Sequence, residues 1–359
     1  MRTGRYDTRL RALPAETLHE LLLRISRIDR FRGWWEGQSR LPPSLLGRLK
    51  KRVVETSAGV TLSPSGGPGA GAASGRTPGM RTQGGRNTLS PREAGYAALL
   101  RAVFDGHREM TFGEELIRRF HADLLRYSPG DRAHRGNYRP LSDGPAARAG
   151  VRPDSPALRP ADPALAATEM ASLTGWTAEN LDSRRYHPLL VIPAFLLEFL
   201  AIRPFAAGNG RTSRILANYL LLQCGYAYVP YLSLEKIIAA RRTEYLLALR
   251  RSQAHRNLPR PDISAWLRTF LEILGAQADE LRGLVSGSPG HDLLSGNQLA
   301  VLGLLEKNRE VSNRVVSREL GIPRDTAKQV LGRLLELSLV KRTGAGRATR
   351  YRKAPLPPG

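Results

Sequence analysis

The sequence predicts a mainly α-helical protein that ends in a small winged helix-turn-helix domain. Apolar residues recur at three- and four-residue spacing along most of the chain, which is the period of a helix with one buried face. Strand-like alternation is nearly absent until the last part, where three short helical patterns precede a hairpin pattern. The length of 359 residues suggests two or three domains, and a 41% hydrophobic content is ordinary for globular proteins.

The chain carries 55 Lys and Arg against 32 Asp and Glu, a net charge of +23. Such a surface attracts polyanions such as nucleic acids and nucleotides, although high-GC coding can also inflate the arginine content. The single cysteine, Cys224, excludes a disulfide framework or a thiolate metal cluster. No signal peptide is evident, and the apolar run 188–202 is shorter than the ~20 residues of a membrane span. We therefore expect a cytoplasmic protein without a membrane partner.

Residues 1–62 predict an N-terminal helical segment that packs on the core, with Pro42-Pro43 separating two helices. Residues 63–88 are rich in Gly, Ser and Pro and lack an apolar period, so we expect a linker or loop there. This stretch contains glycines one residue off the dinucleotide-binding fingerprint, but the flanking strand and helix are missing, so we reject that site: Gly69, Gly71 and Gly75.

Residues 89–285 predict a helical core. Its helices are expected at 91–105, 112–127, 163–181, 188–202, 212–224, 233–252 and 262–284. The stretch 134–160 is loop-like, and a short linker, 286–294, follows the core.

Residues 295–355 predict the winged helix-turn-helix domain. From residue 295 to the end there are 13 basic and 5 acidic residues, which favours DNA binding over the alternative of protein contacts or dimerisation. The start of the third helix and the hairpin supply the candidate DNA contacts: Arg324, Thr326, Lys328, Gln329, Arg347, Arg350 and Arg352.

A Gly-Asn-Gly turn carries the clearest signal of a binding site. Gly208 and Gly210 permit positive φ angles, with which neighbouring N–H groups can converge on one point. The helix that follows adds partial positive charge at its N-terminus, and Arg211 and Arg214 share one side of it. The pattern indicates a site for phosphate or another anion; an ordinary connection with surface arginines is the alternative.

The run RPFAAGNGRTSR resembles the signature of the Fic (Fido) family, HxFx(D/E)GNGRxxR. Phe205, the Gly-Asn-Gly turn and both arginines match it in register. Four further stretches resemble the family, the first and last of them its prokaryotic members with a C-terminal helix-turn-helix: 25–31, 135–139, 186–189 and 225–231. The resemblance covers most of the chain.

The resemblance implies a protein that transfers AMP, or another phosphate-containing group, from a nucleotide to a hydroxyl of a target protein. It implies that the motif histidine is the general base and that the Asp or Glu holds Mg²⁺ on the phosphates. It also implies a site for ATP or another nucleotide, formed by Phe205, Gly208, Asn209, Gly210, Arg211 and Arg214.

Two residues depart from the family at the positions that carry the chemistry. Arg203 stands in place of the histidine, and a guanidinium stays protonated, so it cannot serve as a base. Ala207 stands in place of the acid, and a methyl group cannot coordinate Mg²⁺, so we expect no protein-held metal. Arg203 could instead lie on a phosphate oxygen as a counter-charge. His187 or His255 could replace the base, although a capping or packing role is more typical of His187.

The regulatory elements of the family are also altered. The family has an inhibitory (S/T)xxxEG motif, whose Glu contacts a motif arginine. In the nearest stretch of this chain, Val54 replaces the Ser/Thr and Ala58 replaces the Glu. Glu55 or Glu93 could supply the contact to the arginine in another register. The flap region 141–160 is rich in Pro and Gly, which is unsuited to adding a strand of a target protein.

The sequence thus favours a Fic-fold pseudoenzyme with an anion or nucleotide pocket and a DNA-binding tail, acting as a regulator. The alternatives are a working adenylyltransferase with altered catalytic residues, and a DNA-binding scaffold whose Fic core only supports packing and dimers. The partners left open are a nucleotide, DNA, a target protein and a second copy of the chain.

Overall fold

The computed structural model describes residues 4–38, 41, 43–61, 81–83, 86–139, 163–255, 258, 261–286, 296–336, 339–344 and 346–354. Within these ranges the protein is mainly helical, as predicted. The helices are α1 Gly4–Arg11, α2 Ala15–Glu36, α3 Pro43–Thr61, α4 Pro91–Gly106, α5 Glu114–Leu124, α6 Pro163–Ser183, α7 Pro188–Ile202, α8 Asn209–Gln223, α9 Leu234–Ala240, α10 Arg242–Ala254, α11 Ser264–Ser286, α12 Gly296–Lys307, α13 Asn313–Leu320 and α14 Arg324–Glu336. The strands are β1 Arg81–Gln83, β2 Arg86–Thr88, β3 Val340–Thr343 and β4 Arg350–Lys353. None of the helices in the described ranges combines the length and the apolar character needed to cross a membrane.

Contacts between residues divide the chain into two units. The first comprises residues 1–35 and 52–277, and the second comprises residues 36–51 and 278–359. The division falls inside α3 and inside α11. Residues 287–294 of the predicted second linker lie outside the described residues.

The core of the first unit is built around α7, whose side chains are buried on nearly every face. A helix that is apolar all round is typical of the centre of a bundle. It packs against α6, α8 and α10. From α11, the indole Nε1 of Trp266 donates a hydrogen bond to the carbonyl of Pro193 at 2.7 Å. The end of α7, where the candidate loop begins, is therefore supported from several sides.

The N-terminal helix α1 lies against α6 and α7. The rings of Tyr6 and Trp176 have centroids 5.4 Å apart, and the Trp176 indole donates to Asp7 Oδ1 at 2.9 Å. Arg9 forms an ion pair with Glu198 of α7, and both side chains are buried. Because removal of one partner leaves the other charge buried, this pair fixes α1 to the centre of the unit.

In the C-terminal part of the second unit, the predicted order of three helices and a hairpin is observed in α12, α13, α14 and the β3–β4 pair. Ser312 caps α13 by accepting a hydrogen bond from the Val315 N–H at 3.3 Å, and Gly321 ends that helix at a φ of 63°. Val311 and Tyr351 exchange main-chain hydrogen bonds of 2.8 Å, which ties the start of α13 to β4. The small core between these elements is apolar: Val301, Leu302, Leu305, Val316, Ala327, Leu331, Leu334 and Val340.

Two expectations from the sequence differ from the structure. The segment 233–252, predicted as one helix, forms α9 and α10, which meet at Arg241 with a φ of −110° and a ψ of 30°. The stretch predicted as a linker contains the antiparallel pair β1–β2, with Gln83 opposite Arg86. Residues 63–80 of that linker and the flap region 141–160 lie outside the described residues.

Candidate functional site

The segment between α7 and α8 is a tight turn whose shape depends on two residues with positive φ. Arg203 follows α7 in the left-handed conformation, with a φ of 49° and a ψ of 62°. Gly208 precedes α8 with a φ of 80°. Glycine adopts such backbone angles without strain, whereas a residue with a Cβ atom is strained by them. The backbone conformation of Arg203 therefore has a steric cost.

Asn209 and Phe205 hold this turn closed. The buried amide of Asn209 accepts a hydrogen bond from the Phe205 N–H at 3.1 Å and donates to the Phe205 carbonyl at 2.7 Å. The Phe205 ring is buried among aromatic side chains, which include Tyr138 and Phe199. The sequence predicted both residues at the nucleotide site. The side chains of both residues make contacts within the protein: the Asn209 amide bonds the Phe205 main chain, and the Phe205 ring packs against aromatic rings. For Asn209, the main-chain N–H is then the group that can bind a ligand.

The first N–H groups of α8 are not used within the helix. No side chain caps the helix at Gly208, and the N–H groups of Arg211 and Thr212 both donate to the Gly208 carbonyl at 2.9 Å. The N–H groups of Asn209 and Gly210 have no acceptor among the described residues. Open N–H groups at the positive end of a helix dipole are suited to bind an anion.

Arg211 and Arg214 add charge beside this helix start. The Nη1 atom of Arg211 and the Nε atom of Arg214 are buried without a hydrogen-bond partner in the described part of the chain. Burial, followed by the nearby charge of Arg92, lowers the pKa of Arg211 to about 10; Arg214 acts in the same direction and Asp131 opposes it. At neutral pH Arg211 is still protonated, so the site presents cations that are short of counter-charge.

Arg203 contributes a third cation at the end of α7. Its guanidinium is half-buried, which lowers its pKa, and it makes no hydrogen bond or ion pair with the residues that the structure describes. The main chain here is fixed by Arg139, whose Nε donates to the Arg203 carbonyl at 2.7 Å and whose Nη2 donates to the Ile202 carbonyl at 3.3 Å. A cation on the last carbonyls stabilises the end of α7 and the backbone from which Arg203 projects.

The loop does not fit the Mg²⁺ ion that the family resemblance implies. Mg²⁺ prefers oxygen ligands, but the side chain of Ala207 is a methyl group and its carbonyl oxygen already accepts a hydrogen bond from His121 Nε2 at 3.0 Å. The charged groups of the loop itself are the three arginines, which repel a cation. Over the described ranges, no three His, Cys, Asp or Glu side chains are grouped as a metal site requires.

His121 of α5 is the member of the site that sequence reasoning missed. Its buried ring stacks on Phe205, with centroids 3.8 Å apart and planes inclined by 6°. Its Nδ1 accepts a hydrogen bond from the Gly136 N–H at 3.1 Å. Burial above all lowers the pKa of His121 to about 4, so the imidazole is neutral at physiological pH. The sequence could have pointed to His121 only as a histidine on the apolar face of a predicted helix, beside Phe120 and Leu124.

The two histidines considered as replacement bases lie outside this loop. The expected capping role of His187 is confirmed, since its Nδ1 accepts a hydrogen bond from the Leu189 N–H at the start of α7, at 3.3 Å. His187 lines a cavity of about 740 Å³ together with Arg32 and Cys224, and none of residues 203–214 lines that cavity. His255 is the C-cap residue of α10.

The part of α3 that resembles the inhibitory motif is occupied by small buried side chains. Ala58 is fully buried, and Ser57 donates to the buried Glu235 at 2.7 Å. Glu55 is exposed and makes no ion pair with the loop arginines. Glu93 belongs to the capping box of α4, where its carboxylate accepts from the Ser90 N–H at 2.7 Å. Neither glutamate therefore replaces the inhibitory contact in the part of the chain described.

The candidate DNA contacts lie in the C-terminal part of the second unit. On the first two turns of α14 the candidates are exposed or half-buried: Arg324, Thr326, Lys328 and Gln329. In the hairpin, Arg352 is exposed, and Arg350 Nε lies 4.0 Å from the Glu310 carboxylate. The side chain of Arg347 lies outside the described residues.

A family model described as Fic/DOC family matches residues 111–221, a range that contains α5, α7, the loop and most of α8. The chain is similar in fold to the crystal structure of a Fic family protein from Desulfovibrio desulfuricans G20, with a TM-score of 0.53 and 20% identity, covering 94% of this chain and 97% of that chain.

Two further structures are similar. A Fic domain containing signaling protein from Bacteroides thetaiotaomicron VPI-5482 has a TM-score of 0.53 and 17% identity, covering 72% of this chain and 97% of that chain. A fragment of Fic-1 from C. elegans has a TM-score of 0.50 and 17% identity, covering 75% of this chain and 72% of that chain. At such identities the likeness shows the fold.

Proposed function

We propose that the chain is a Fic-fold pseudoenzyme that binds the phosphates of a nucleotide without transferring AMP, and the match of residues 111–221 to the Fic/DOC family model supports this proposal. ATP is the first candidate ligand, and the second unit binds DNA, so that the protein acts as a cytoplasmic regulator. The observation that carries the proposal is the pair of buried nitrogens without a partner, Arg211 Nη1 and Arg214 Nε, beside the open start of α8.

Without a ligand, the unpartnered nitrogens of Arg211 and Arg214 lower the stability of the protein. A buried polar atom without a hydrogen bond costs about 1–3 kcal/mol, and more when it is charged. Phosphate oxygens would satisfy both guanidinium groups and the N–H groups of Asn209 and Gly210 together. A loop that served only packing would be more stable with uncharged side chains at these two positions, so the arginines support a binding role.

The absence of transfer follows from the side chains at positions 203 and 207. A guanidinium cannot take the proton of an attacking hydroxyl, and the loss of general-base catalysis costs on the order of 10²–10⁴ in rate. Ala207 supplies no metal ligand, so no step of this function depends on Mg²⁺ held by the loop. Arg203 is suited instead to neutralise phosphate charge directly.

Calorimetric titration of ATP, with EDTA and then with Mg²⁺, tests the binding half of the proposal. We expect binding in EDTA, and a roughly 10- to 100-fold loss of affinity for Arg214→Gln, because a hydrogen bond to a charged group contributes about 1.5–3 kcal/mol. Arg101→Gln, which removes an exposed arginine of α4, is the matched control and should bind as the unaltered chain does. No binding in either buffer would leave only the scaffold interpretation.

Incubation with labelled ATP and Mg²⁺, alone and with cell lysate, tests the other half. The unaltered chain should transfer no label to itself or to another protein. The Arg203→His/Ala207→Asp double variant is run beside it, because it restores both residues of the family pattern. Label on a protein hydroxyl that depends on the unaltered chain would establish the active-transferase alternative.

The DNA-binding part of the proposal rests on the exposed cations of α14 and the hairpin. Recognition helices of helix-turn-helix proteins present their first residues to base edges. In α14, the first two turns carry Arg324, Lys328 and Gln329. Arg352 of β4 is exposed, which supports a role in contacting phosphates. An excess of basic over acidic residues gives such a unit affinity for DNA that falls with salt.

Fluorescence anisotropy on a mixed-sequence duplex over a range of salt concentrations measures this affinity. Each phosphate contact contributes about one to the slope of log K against log salt, so Arg324→Ala/Lys328→Ala should lower the slope by up to about 2. Arg250→Ala/Arg251→Ala removes the same charge from α10 in the first unit and should leave it unchanged. Equal slopes for the two double variants would remove DNA binding by α14 from the proposal.

A further inference from the structure

The hydrogen bonds of His121 require one arrangement of its protons. The Ala207 carbonyl can only accept, so His121 Nε2, 3.0 Å away, is the donor. The Gly136 N–H can only donate, so Nδ1, 3.1 Å away, is the acceptor. One species satisfies both contacts, the neutral imidazole with its proton on Nε2.

The bond to the Ala207 carbonyl also determines where the next N–H group points. The peptide between Ala207 and Gly208 is trans, and in a trans peptide the C=O and N–H bonds point in opposite directions. With its oxygen on His121, this peptide turns the Gly208 N–H to the side away from the imidazole. That N–H has no acceptor among the described residues, and it directly precedes the open N–H groups of Asn209 and Gly210.

The backbone of Gly208 does not fix this orientation by itself. Glycine adopts either sign of φ about equally well, so the peptide could rotate and point the Ala207 carbonyl at a bound anion. A carbonyl oxygen directed at phosphate is repulsive, whereas an N–H is attractive. The imidazole is close enough to oppose such a rotation, since a Cβ at position 208 would lie 3.4 Å from its Nε2.

We propose that His121 is a positioning residue of the anion site, whose imidazole holds the Ala207–Gly208 peptide so that the Gly208 N–H donates to a bound phosphate. This inference deepens the nucleotide site of the proposed function and rests on it. The same ring binds Gly136, three residues before Arg139, which holds the last carbonyls of α7. A single imidazole therefore fixes the anion loop and the 136–139 segment relative to α5.

Nuclear magnetic resonance can detect which nitrogen of His121 carries the proton and whether the Gly208 N–H responds to a bound anion. In ¹⁵N-histidine-labelled protein at pH 7, long-range ¹H–¹⁵N correlations of His121 should show a protonated Nε2 and a bare Nδ1. Labelling with ¹³C-carbonyl alanine and ¹⁵N-glycine restricts the spectrum to Ala-Gly pairs such as Ala207–Gly208. Inorganic pyrophosphate, titrated in EDTA, should shift the Gly208 resonance.

Substitutions at His121 separate its hydrogen bonds from its packing. His121→Phe keeps a ring against Phe205 and removes both hydrogen bonds, and we expect a roughly 10- to 100-fold loss of pyrophosphate affinity. His121→Gln supplies an amide N–H at similar reach and should recover most of that affinity. Phe199→Leu, in the same buried aromatic cluster, is the control for loosened packing, and it should lower the melting temperature without changing the affinity.

Three results would overturn the role of His121 alone. They are a proton on Nδ1, a Gly208 resonance that does not respond to bound pyrophosphate, and pyrophosphate binding by folded His121→Phe equal to that of the unaltered chain. If His121→Phe does not fold, His121→Gln and the two spectra decide the question. Absence of pyrophosphate and ATP binding by the unaltered chain would overturn the nucleotide site itself, and this proposal with it.

Discussion

Arg203 combines two unfavourable features that a structural residue would not retain. Its left-handed backbone costs a non-glycine residue roughly 1–2 kcal/mol, and its half-buried guanidinium has no partner among the described residues. A glycine at this position would remove both costs. Strain that persists where a simple substitution would relieve it is typical of residues that act on a ligand.

Replacement of Arg203 should therefore separate stability from binding. We expect Arg203→Gly to raise the free energy of unfolding by about 1 kcal/mol, because the strain is relieved, and to weaken ATP binding in EDTA. Arg203→Ala should weaken binding equally and raise stability less, since alanine removes the half-buried guanidinium but keeps the strained backbone. Urea unfolding and calorimetry measure the two quantities. ATP affinity unchanged in both variants would exclude Arg203 from the site.

His121 should make the stability of the protein depend on pH. Its pKa is lowered to about 4 in the folded protein from an ordinary value of 6.5, mainly by burial; the hydrogen bond to Ala207 and the charge of Asp131 oppose this shift, and Arg211 and His134 add to it. The unfolded chain therefore binds this proton more readily. The free energy of unfolding should fall as the pH drops from about 6.5 to 4, by up to roughly 3 kcal/mol at about 1.4 kcal/mol per pH unit.

Urea unfolding curves at several pH values measure this loss of stability. His121→Gln, which does not titrate, should lack this part of the pH dependence. The same steepness in both proteins would show that other groups cause it.

At the scale of elements, the sequence predicted those helix ends that are set by residues next to them in the chain. The bounds of α7 agree with the prediction of 188–202, because His187-Pro188 opens the helix and Arg203-Pro204 closes it. The break between α9 and α10 had no such signal, since neither Gly nor Pro lies near Arg241. Its guanidinium lies 3.5 Å from the Glu272 carboxylate of α11, a contact that only the tertiary structure creates.

The same distinction applies to the candidate site. The Gly-Asn-Gly turn and the arginines that follow it are contiguous, so their place at a helix start could be read from the sequence. His121 lies 86 residues before Ala207 and reaches it through the packing of α5 on α8. No spacing rule connects the two residues, and a buried histidine on an apolar helix face is more typical of packing than of a site.

The two glycines of the turn should respond differently to substitution by alanine. Gly208 has a φ of 80°, and a Cβ there would meet His121 and Arg211, so Gly208→Ala should cost about 1–2 kcal/mol of stability and weaken ATP binding. Gly210 has a φ outside the left-handed region, and its nearest contact, at 3.7 Å, is the end of the Arg214 side chain. Gly210→Ala should therefore fold with unchanged stability. Thermal unfolding and calorimetry compare the pair; equal losses would contradict the backbone argument.

At the scale of the whole molecule, one buried ion pair links the first helix of the chain to the helix that ends at the anion loop. Arg9 of α1 and Glu198 of α7 are 189 residues apart in sequence, and both are nearly inaccessible to solvent. Glu198 is the only charged residue in α7, and Arg203 begins the loop five residues later. The ion pair therefore joins α1 to the last turns of α7, close to the start of the loop.

Removal of one partner should be far more costly than removal of both. We expect Arg9→Met to lower the free energy of unfolding by about 3–5 kcal/mol, because the buried carboxylate of Glu198 loses the charge of Arg9. Arg9→Met/Glu198→Leu should recover most of this loss, since apolar side chains can replace a buried pair at little cost. Arg5→Met, which breaks the more exposed pair with Glu169, is the control and should cost about 1 kcal/mol or less. Urea unfolding followed by circular dichroism measures all three, and a double variant no more stable than Arg9→Met would show that the unpaired charge is not the cause of the loss.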